Sequence, residues 1–400
     1  MNPLKPGTVL QRAHGIEIYL DSATEVRITF DQQSDLYLDR SLAVLEVFAQ
    51  PTSLQDALQK LQIKRAQDWI DVTGTINKLY RNGALVESGA KPLIPEPNSD
   101  GFGAPTIHIS MLNDRSRTTA FQRAIAEVVK PGDIVVDVGT GTGILAVTAA
   151  QAGAARVYAI ESGAMAEAAA AVFAASDAVE KLTLIRGWST QVELPERADV
   201  LISETIGFDP FAERILQTTK DARCRLLKPD ARLVPNRIKA YGLAVTMPGD
   251  KVAQVAFTRD TIAKWREWFG VDFTPLLDVV GESASPQLNV SQQQATTWPL
   301  LTEPVLLADT DLTTFQETVI ESTVEAEFIR AGVMNGFLMF FELGVASETI
   351  TTHPLLAAMD NHWPNPVWVF ANPRIVEAGD RLTVQYGYNI AGRNSTVHLA

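Results

Sequence analysis

The 400-residue sequence predicts an α/β chain in three parts: a small module of short strands and helices, a doubly wound parallel sheet, and an antiparallel β-barrel. Three observations carry that prediction. The apolar, β-branched run Ile134–Val138 enters the turn Gly139-Thr140-Gly141-Thr142-Gly143 and then a helix, the first unit of a doubly wound sheet. From about Asn236 the helical periodicity fades and alternating strands take over. Between these parts and the amino terminus lies Lys91–Thr106, KPLIPEPNSDGFGAPT, whose four prolines, glycines and small polar residues cannot sustain a helix or a paired strand. It reads as a linker over 91–106, so the expected divisions are 1–90, 107–234 and 235–400.

Composition narrows the class. A chain of 43.6 kDa exceeds what one core ordinarily organises. The longest apolar stretch, Ala331–Ala346, is interrupted by Asn335 and Glu342, so no membrane span is expected. The amino-terminal MNPLKPGTVLQRAHG lacks the apolar core of a signal peptide, and the expected location is the cytoplasm. A lone Cys224 excludes a disulfide framework and a cysteine-based metal site, and no metal is expected. A net charge of −13 argues against a nucleic-acid partner, although acidic excess also serves solubility.

In residues 1–90, Ile16–Leu20, Val26–Phe30 and Leu36–Leu38 read as short strands. Three helical patterns follow: Leu42, Leu45 and Phe48 share one face, and Leu54, Ala57, Leu58 and Leu61 another. Thr52 and Gln55 have capping-box spacing. The third helix runs from about Trp69 to Asn82, with Ile70, Thr73, Ile76 and Leu79/Tyr80 inward and Gly83 at its stop. The sum is a small winged helix. Nine Lys/Arg against eleven Asp/Glu give it a net charge of 9 − 11 = −2, a poor surface for phosphates, although a DNA-binding role stays open. The segments LYLDRSLAVLEVF, TSLQDALQKL and DWIDVTGTINKLYRNGALV resemble the PqqD-like peptide-recognition domains that serve ribosomally made peptide natural products. That resemblance implies a leader peptide added as a strand beside Asp35–Asp39 and lying against the Trp69–Asn82 helix.

The glycine turn separates two nucleoside cofactors. A dinucleotide fingerprint would need its third glycine at position 144, which is Ile144; the chain instead has Asp137-x-Gly139-x-Gly141-x-Gly143, which resembles the loop of class I S-adenosylmethionine (SAM) methyltransferases. The following strand ends in Glu161, 22 residues after Gly139, where a carboxylate can accept both hydroxyls of a ribose.

Methyl transfer from a sulfonium is an in-line displacement that needs an aligned acceptor and excluded water. A guanidinium acceptor is a cation with forked N–H donors, so carboxylates are its natural clamps. After the strand Asp199–Ile202, the segment ISETIGFDPFAE supplies Glu204 and Glu213, nine residues apart. It resembles the double-glutamate loop of protein arginine methyltransferases. The resemblance covers roughly Ile107 to Ala400: HISMLNDRSRTTAFQRAI before the sheet, VVDVGTGTGILAVTAAQAGAARVYAIE across the cofactor motifs, LKPDARLVPNRIKAY at the crossing to the barrel, and Asn361-His362-Trp363 in place of a Thr-His-Trp loop. It implies a class I SAM-methyltransferase Rossmann-like sheet followed by an antiparallel β-barrel. It implies that Arg117, with Met111 and Asp137 nearby, holds the cofactor along with Gly139, Gly141, Gly143 and Glu161. Glu204 and Glu213 would clamp the acceptor, His362 with Asp114 would take up the proton released, and Trp363 and Phe208 would line the acceptor pocket.

The chain also departs from that family. Ser203-Glu204-Thr205-Ile206-Gly207-Phe208 stands where Ser-Glu-Trp-Met-Gly-Tyr is usual, Thr190 replaces a glutamate for the adenine amine, and Phe102 stands roughly where a tyrosine-bearing helix closes over the cofactor. The resemblance implies arginine in a leader-bearing peptide as the acceptor, and these departures make a histidine or an amine the alternative. Strands are expected at Val319–Phe328, Gly336–Gly344, Pro366–Phe370 and Leu382–Tyr388. A helical interruption, about 249–280, carries Trp265, Trp268 and Phe269 and corresponds to the family's dimerisation arm, which implies a homodimer.

Overall fold

The computed structural model describes residues 4–13, 16–22, 24–30, 33–38, 40–61, 63, 65–87, 105–280, 287–389 and 395–399. The chain forms two compact units, Met1–Asp100 and Gly101–Ala400. Most of the expected linker, and Phe102 and Asp39, lie outside the described residues. Pro105 and Thr106 do not belong to it: they open a helix, since proline's missing N–H and fixed φ suit a first helical turn.

The first unit holds β1 (Val9–Arg12), β2 (Glu17–Leu20), β3 (Glu25–Phe30), β4 (Gln33–Leu38), α1 (Ser41–Val47), β5 (Thr52–Ser53), α2 (Leu54–Lys60), α3 (Ala66–Arg81) and β6 (Leu85–Glu87). Two antiparallel sheets, β5-β1-β6 and β2-β3-β4, surround a core that includes Leu10, Val26, Ile28, Leu45, Phe48, Ile76 and Leu79. Two expectations need correction. The cap of α2 is Ser53, which accepts the Asp56 amide at 3.1 Å, because Thr52 spends its hydroxyl on Val47 and Gln50 carbonyls. Ile70 points outward, 57 % exposed: the inward stripe of α3 runs through Val72, Ile76, Leu79 and Tyr80 instead.

In the second unit, α4 (Pro105–Asn113) and α5 (Arg115–Val128) precede β7 (Ile134–Val138), α6 (Ile144–Gln151), β8 (Arg156–Glu161), α7 (Met165–Ala174), β9 (Leu182–Arg186), β10 (Ala198–Ile202), α8 (Ile215–Arg225) and β11 (Leu227–Val234). The sheet is parallel in the order β11-β10-β7-β8-β9. Strand β7 is buried along its whole length, as a central strand covered on both faces must be. The strand order reverses between β7 and β10, the point beyond the carboxyl ends of the strands where sheets of this kind bind ligands.

A cis Val234–Pro235 bond leads into β12 (Arg237–Val245). Helices α9 (Gly249–Val255), α10 (Arg259–Phe269) and α11 (Pro275–Val280) interrupt the strands, followed by β13 (Gln287–Val290), α12 (Gln292–Ala295), β14 (Val305–Asp311), β15 (Ile320–Glu327), β16 (Gly332–Val345), β17 (Glu348–Thr351), β18 (Asn365–Val376), β19 (Arg381–Tyr388) and β20 (Thr396–Leu399). They form two antiparallel sheets, β13-β18-β16-β12-β14 with β17 beside β16, and β15-β19-β20. Among the described residues, no helix is long and apolar enough to cross a membrane.

Candidate active site

The turn from β7 to α6 has Gly139, Gly141 and Gly143 at φ of 76°, 54° and 83°, a region that side-chain-bearing residues avoid. Space matters as much as conformation. A Cβ on Gly139 would lie 2.7 Å from Thr205 Cγ2, one on Gly141 3.0 Å from His108 Cε1, and one on Gly143 2.5 Å from Phe173 Cε1. The Glu161 carboxylate faces this turn: Oε2 accepts the Gly141 amide at 2.9 Å and Oε1 the Gly163 amide at 2.7 Å. Beneath it Asp137 is fully buried and accepts the Thr140 hydroxyl at 2.6 Å. Burial pushes the Asp137 carboxyl up to about 7; the Thr140 hydroxyl opposes the rise and the Glu161 charge adds to it.

The loop after β10 leaves from the same end of the sheet. Glu204 accepts Arg117 Nη1 at 2.6 Å, and both side chains are buried. Burial holds the Glu204 carboxyl above its ordinary value, while the Arg117 and His362 charges pull it down and Asp114 pushes it up. Arg117 Nη2 donates to the Met111 carbonyl at 3.2 Å, and Arg117 Nε is buried with no hydrogen-bond partner among the described residues. Glu213 Oε1 is buried 2.9 Å from where a Cβ on Gly207 would sit, so this glycine makes room for the carboxylate. Trp363 donates Nε1 to the Ile206 carbonyl at 2.8 Å and packs edge-on against Phe341 at 5.2 Å.

Asp114 joins the two halves. One oxygen caps α5 by accepting the Arg117 amide at 2.9 Å; the other accepts the His362 amide at 3.0 Å and lies 2.8 Å from His362 Nδ1. A carboxylate in this position fixes the imidazole's orientation. Asp360, two residues before His362, secures the same helix end by accepting the Ser116 amide at 3.1 Å.

Asp114, Arg117, Glu204, His362 and Trp363 thus form one connected cluster, and Thr205 links it to the glycine turn, where Asp137 and Glu161 sit. Three placements differ from the simplest expectation. Trp363 is only 3 % exposed, so it fixes the Ile206 backbone rather than presenting an open wall. Met111 meets the cluster through its carbonyl. Phe208 is half-buried in the acidic loop, with no ring contact to Trp363. The sequence singles out Thr205 and Gly207 as part of the altered loop but gives no role to His108 or Asp209; His108 lies three residues before Met111 on the same helix.

Residues 116–271 match the family described as ribosomal protein L11 methyltransferase (PrmA). The chain is 31% identical over 245 residues to a probable protein arginine N-methyltransferase 6 of Arabidopsis thaliana, covering 59% of this chain and 54% of that protein. Similarity to a probable histone-arginine methyltransferase CARM1 of Oryza sativa subsp. indica is 31% over 288 residues, covering 68% and 52%. Among solved structures, the Trypanosoma brucei PRMT1 enzyme–prozyme heterotetrameric complex with AdoHcy superposes with a TM-score of 0.64 at 25% identity, covering 75% of this chain and 94% of that one. Protein arginine methyltransferase 10 of Arabidopsis thaliana gives 0.61 at 25% identity, with 75% and 93% covered. The fold is that of the arginine methyltransferases. Those superpositions cover nearly all of each solved chain, whereas this chain spans about half the length of the first curated relatives, 54% and 52%.

Proposed function

We propose that this chain is a SAM-dependent N-methyltransferase that methylates an arginine side chain, and that its first unit captures the substrate through a leader peptide. The observation that carries the chemistry is the acidic loop: Glu204 and Glu213 both leave the carboxyl end of β10, beside the glycine turn. Two carboxylates there match the charge and forked donors of a guanidinium.

The residues present fit the cofactor. The turn is kept free of side chains where a nucleoside must approach closely, and Arg117 Nε is a buried donor awaiting an acceptor, which the amino-acid carboxylate of SAM provides. Glu161, oriented by the Gly141 and Gly163 amides, would accept the ribose hydroxyls on its remaining lone pairs. Bound SAM supplies an electrophilic methyl group. Glu204 and Glu213 orient the guanidinium and leave electron density on the attacking nitrogen. The Arg117 charge opposes the rise that burial imposes on the Glu204 carboxyl, and His362, held by Asp114, receives the proton the nitrogen releases.

The first unit supports peptide capture over DNA binding. Among the described residues, strand β4 pairs only with β3, which leaves its other edge available for strand addition. Leu36, Leu38, Trp69 and Ile70 are 42 to 57 % exposed, an apolar lining for a peptide's side chains. Lys78, the basic residue of α3 best placed for phosphate, is committed instead: Nζ donates to the Leu36 carbonyl at 2.9 Å and pairs with Asp35 at 3.6 Å. We also propose a homodimer through α9–α11, where Trp265 is packed between Phe257 and Phe273 while Trp268 and Phe269 are each 64 % exposed.

The test is tandem mass spectrometry of peptides bearing arginine, histidine, lysine or a free amino terminus after incubation with enzyme and SAM. A methylene gain on arginine is expected. A gain confined to histidine or an amine would overturn the arginine assignment and mark Thr205 and Ile206 as a pocket shaped for another nucleophile.

A further inference from the structure

Asp209 lies between the two acceptor carboxylates, five residues after Glu204 and four before Glu213, and its side chain is wholly buried. A carboxylate away from water is costly unless hydrogen bonds hold it. The Phe211 amide donates to Oδ1 at 3.1 Å, closing a local turn. The Ser395 amide donates to Oδ2 at 2.6 Å across 186 residues of sequence. Ser395 Oγ is 2.7 Å from the buried Tyr386 hydroxyl, and Ser395 leads directly into β20 of the β15-β19-β20 sheet. A second tie runs alongside: the Phe211 ring packs 5.4 Å from Tyr388, whose hydroxyl donates to Gln217 Oε1 at 3.3 Å.

We propose that Asp209 is a positioning residue: it fastens the loop carrying Glu204 and Glu213 to the carboxyl-terminal sheet and thereby fixes the span between the two carboxylates. The inference rests on reading those glutamates as the acceptor clamp. Both sit on irregular backbone, and a pair gripping one planar cation must hold its separation to about 0.5 Å. The fastening falls midway between them, where it limits drift of either. A carboxylate suits the place because each of its oxygens accepts a different amide; an asparagine offers one acceptor and one donor, and leaves one amide facing an N–H.

The test uses the full chain with Asp209→Asn. Hydrogen exchange is followed in peptides covering 203–214 and 395–399, acceptor kcat and KM are measured, and SAM affinity is taken by calorimetry. Exchange should quicken in both peptides, and kcat/KM for the acceptor should fall about tenfold or more, while the SAM Kd stays within about twofold. Tyr386→Phe leaves both amides on Asp209 and should resemble wild type. Should Asp209→Asn not fold, Ser395→Pro removes the donating N–H, keeps Asp209, and answers the same question. Unchanged loop exchange with unchanged acceptor kinetics overturns the proposal, and so does a lowered melting temperature as the sole effect. If the wild-type enzyme methylates no acceptor, the clamp reading fails while the exchange data still decide whether Asp209 fastens the loop.

Discussion

Arg117 and Glu204 face each other 2.6 Å apart with almost no water around them. Removing one member of such a pair strands a buried charge, which costs about 3–5 kcal/mol, whereas replacing both with neutral groups costs far less. Arg117→Ala should therefore lower the melting temperature sharply, and Arg117→Ala combined with Glu204→Gln should recover much of the loss. Calorimetric unfolding of the two variants decides this; additive losses would show that the pair does not couple. Asp137 makes a pH prediction. Its carboxyl sits at about 7 when folded against 3.8 unperturbed, so between those values the folded protein keeps a proton that the unfolded chain releases. Stability should fall as pH rises from about 4 to 7 and level off above, and Asp137→Asn should flatten that slope in melting curves. The individual roles were unevenly legible. Glu204, Glu213 and His362 are visible as chemistry-bearing types on loops at recognisable places. Asp209 is an ordinary residue in sequence, and its meaning comes from Ser395, a partner that only the fold brings near.

At the scale of the element, the acidic loop shows how backbone and chemistry constrain each other. Gly207 has no side chain because Glu213 Oε1 occupies the space, 2.9 Å from where a Cβ would be. What must yield to Gly207→Ala is the far end of a flexible side chain, so folding should be little affected while the carboxylate is displaced. The expected outcome is a loss of about 10–100-fold in acceptor kcat/KM with a nearly unchanged melting temperature; unchanged turnover would show that Glu213 need not hold that place. Long or strongly patterned elements were legible in advance. Strand β7, its glycine turn and α6 stand out because three glycines and a buried β-branched run have few other uses. Strands β1, β5 and β6 were missed because pieces of two to four residues carry no period. Ile70 was misplaced because α3 is apolar on more than one side, and only packing chooses the inward stripe.

At the scale of the molecule, the chain forms two compact units, and the proposed function gives the first to substrate capture. If the first unit raises the local concentration of substrate, deleting residues 1–90 should lower kcat/KM for a leader-bearing peptide and leave a short leaderless peptide unaffected. Equal turnover of the leader-bearing peptide by both forms would remove that role. The exposed Trp268 and Phe269 make a separate prediction: charged replacements there should shift a dimer toward monomer in analytical ultracentrifugation. The order of the parts could be read from the sequence, because the proline-rich stretch and the change of periodicity are properties of composition. How the units act together is a property of assembly, which composition does not encode.

In the proposed function Glu204 acts on the acceptor and not in holding the cofactor. The most direct measurement compares SAM affinity with methyl transfer in Glu204→Gln. The Kd should stay close to that of the wild-type enzyme, and transfer to arginine peptides should fall by about 10² or more. Transfer at the wild-type rate, or a loss explained wholly by weakened SAM binding, would contradict it.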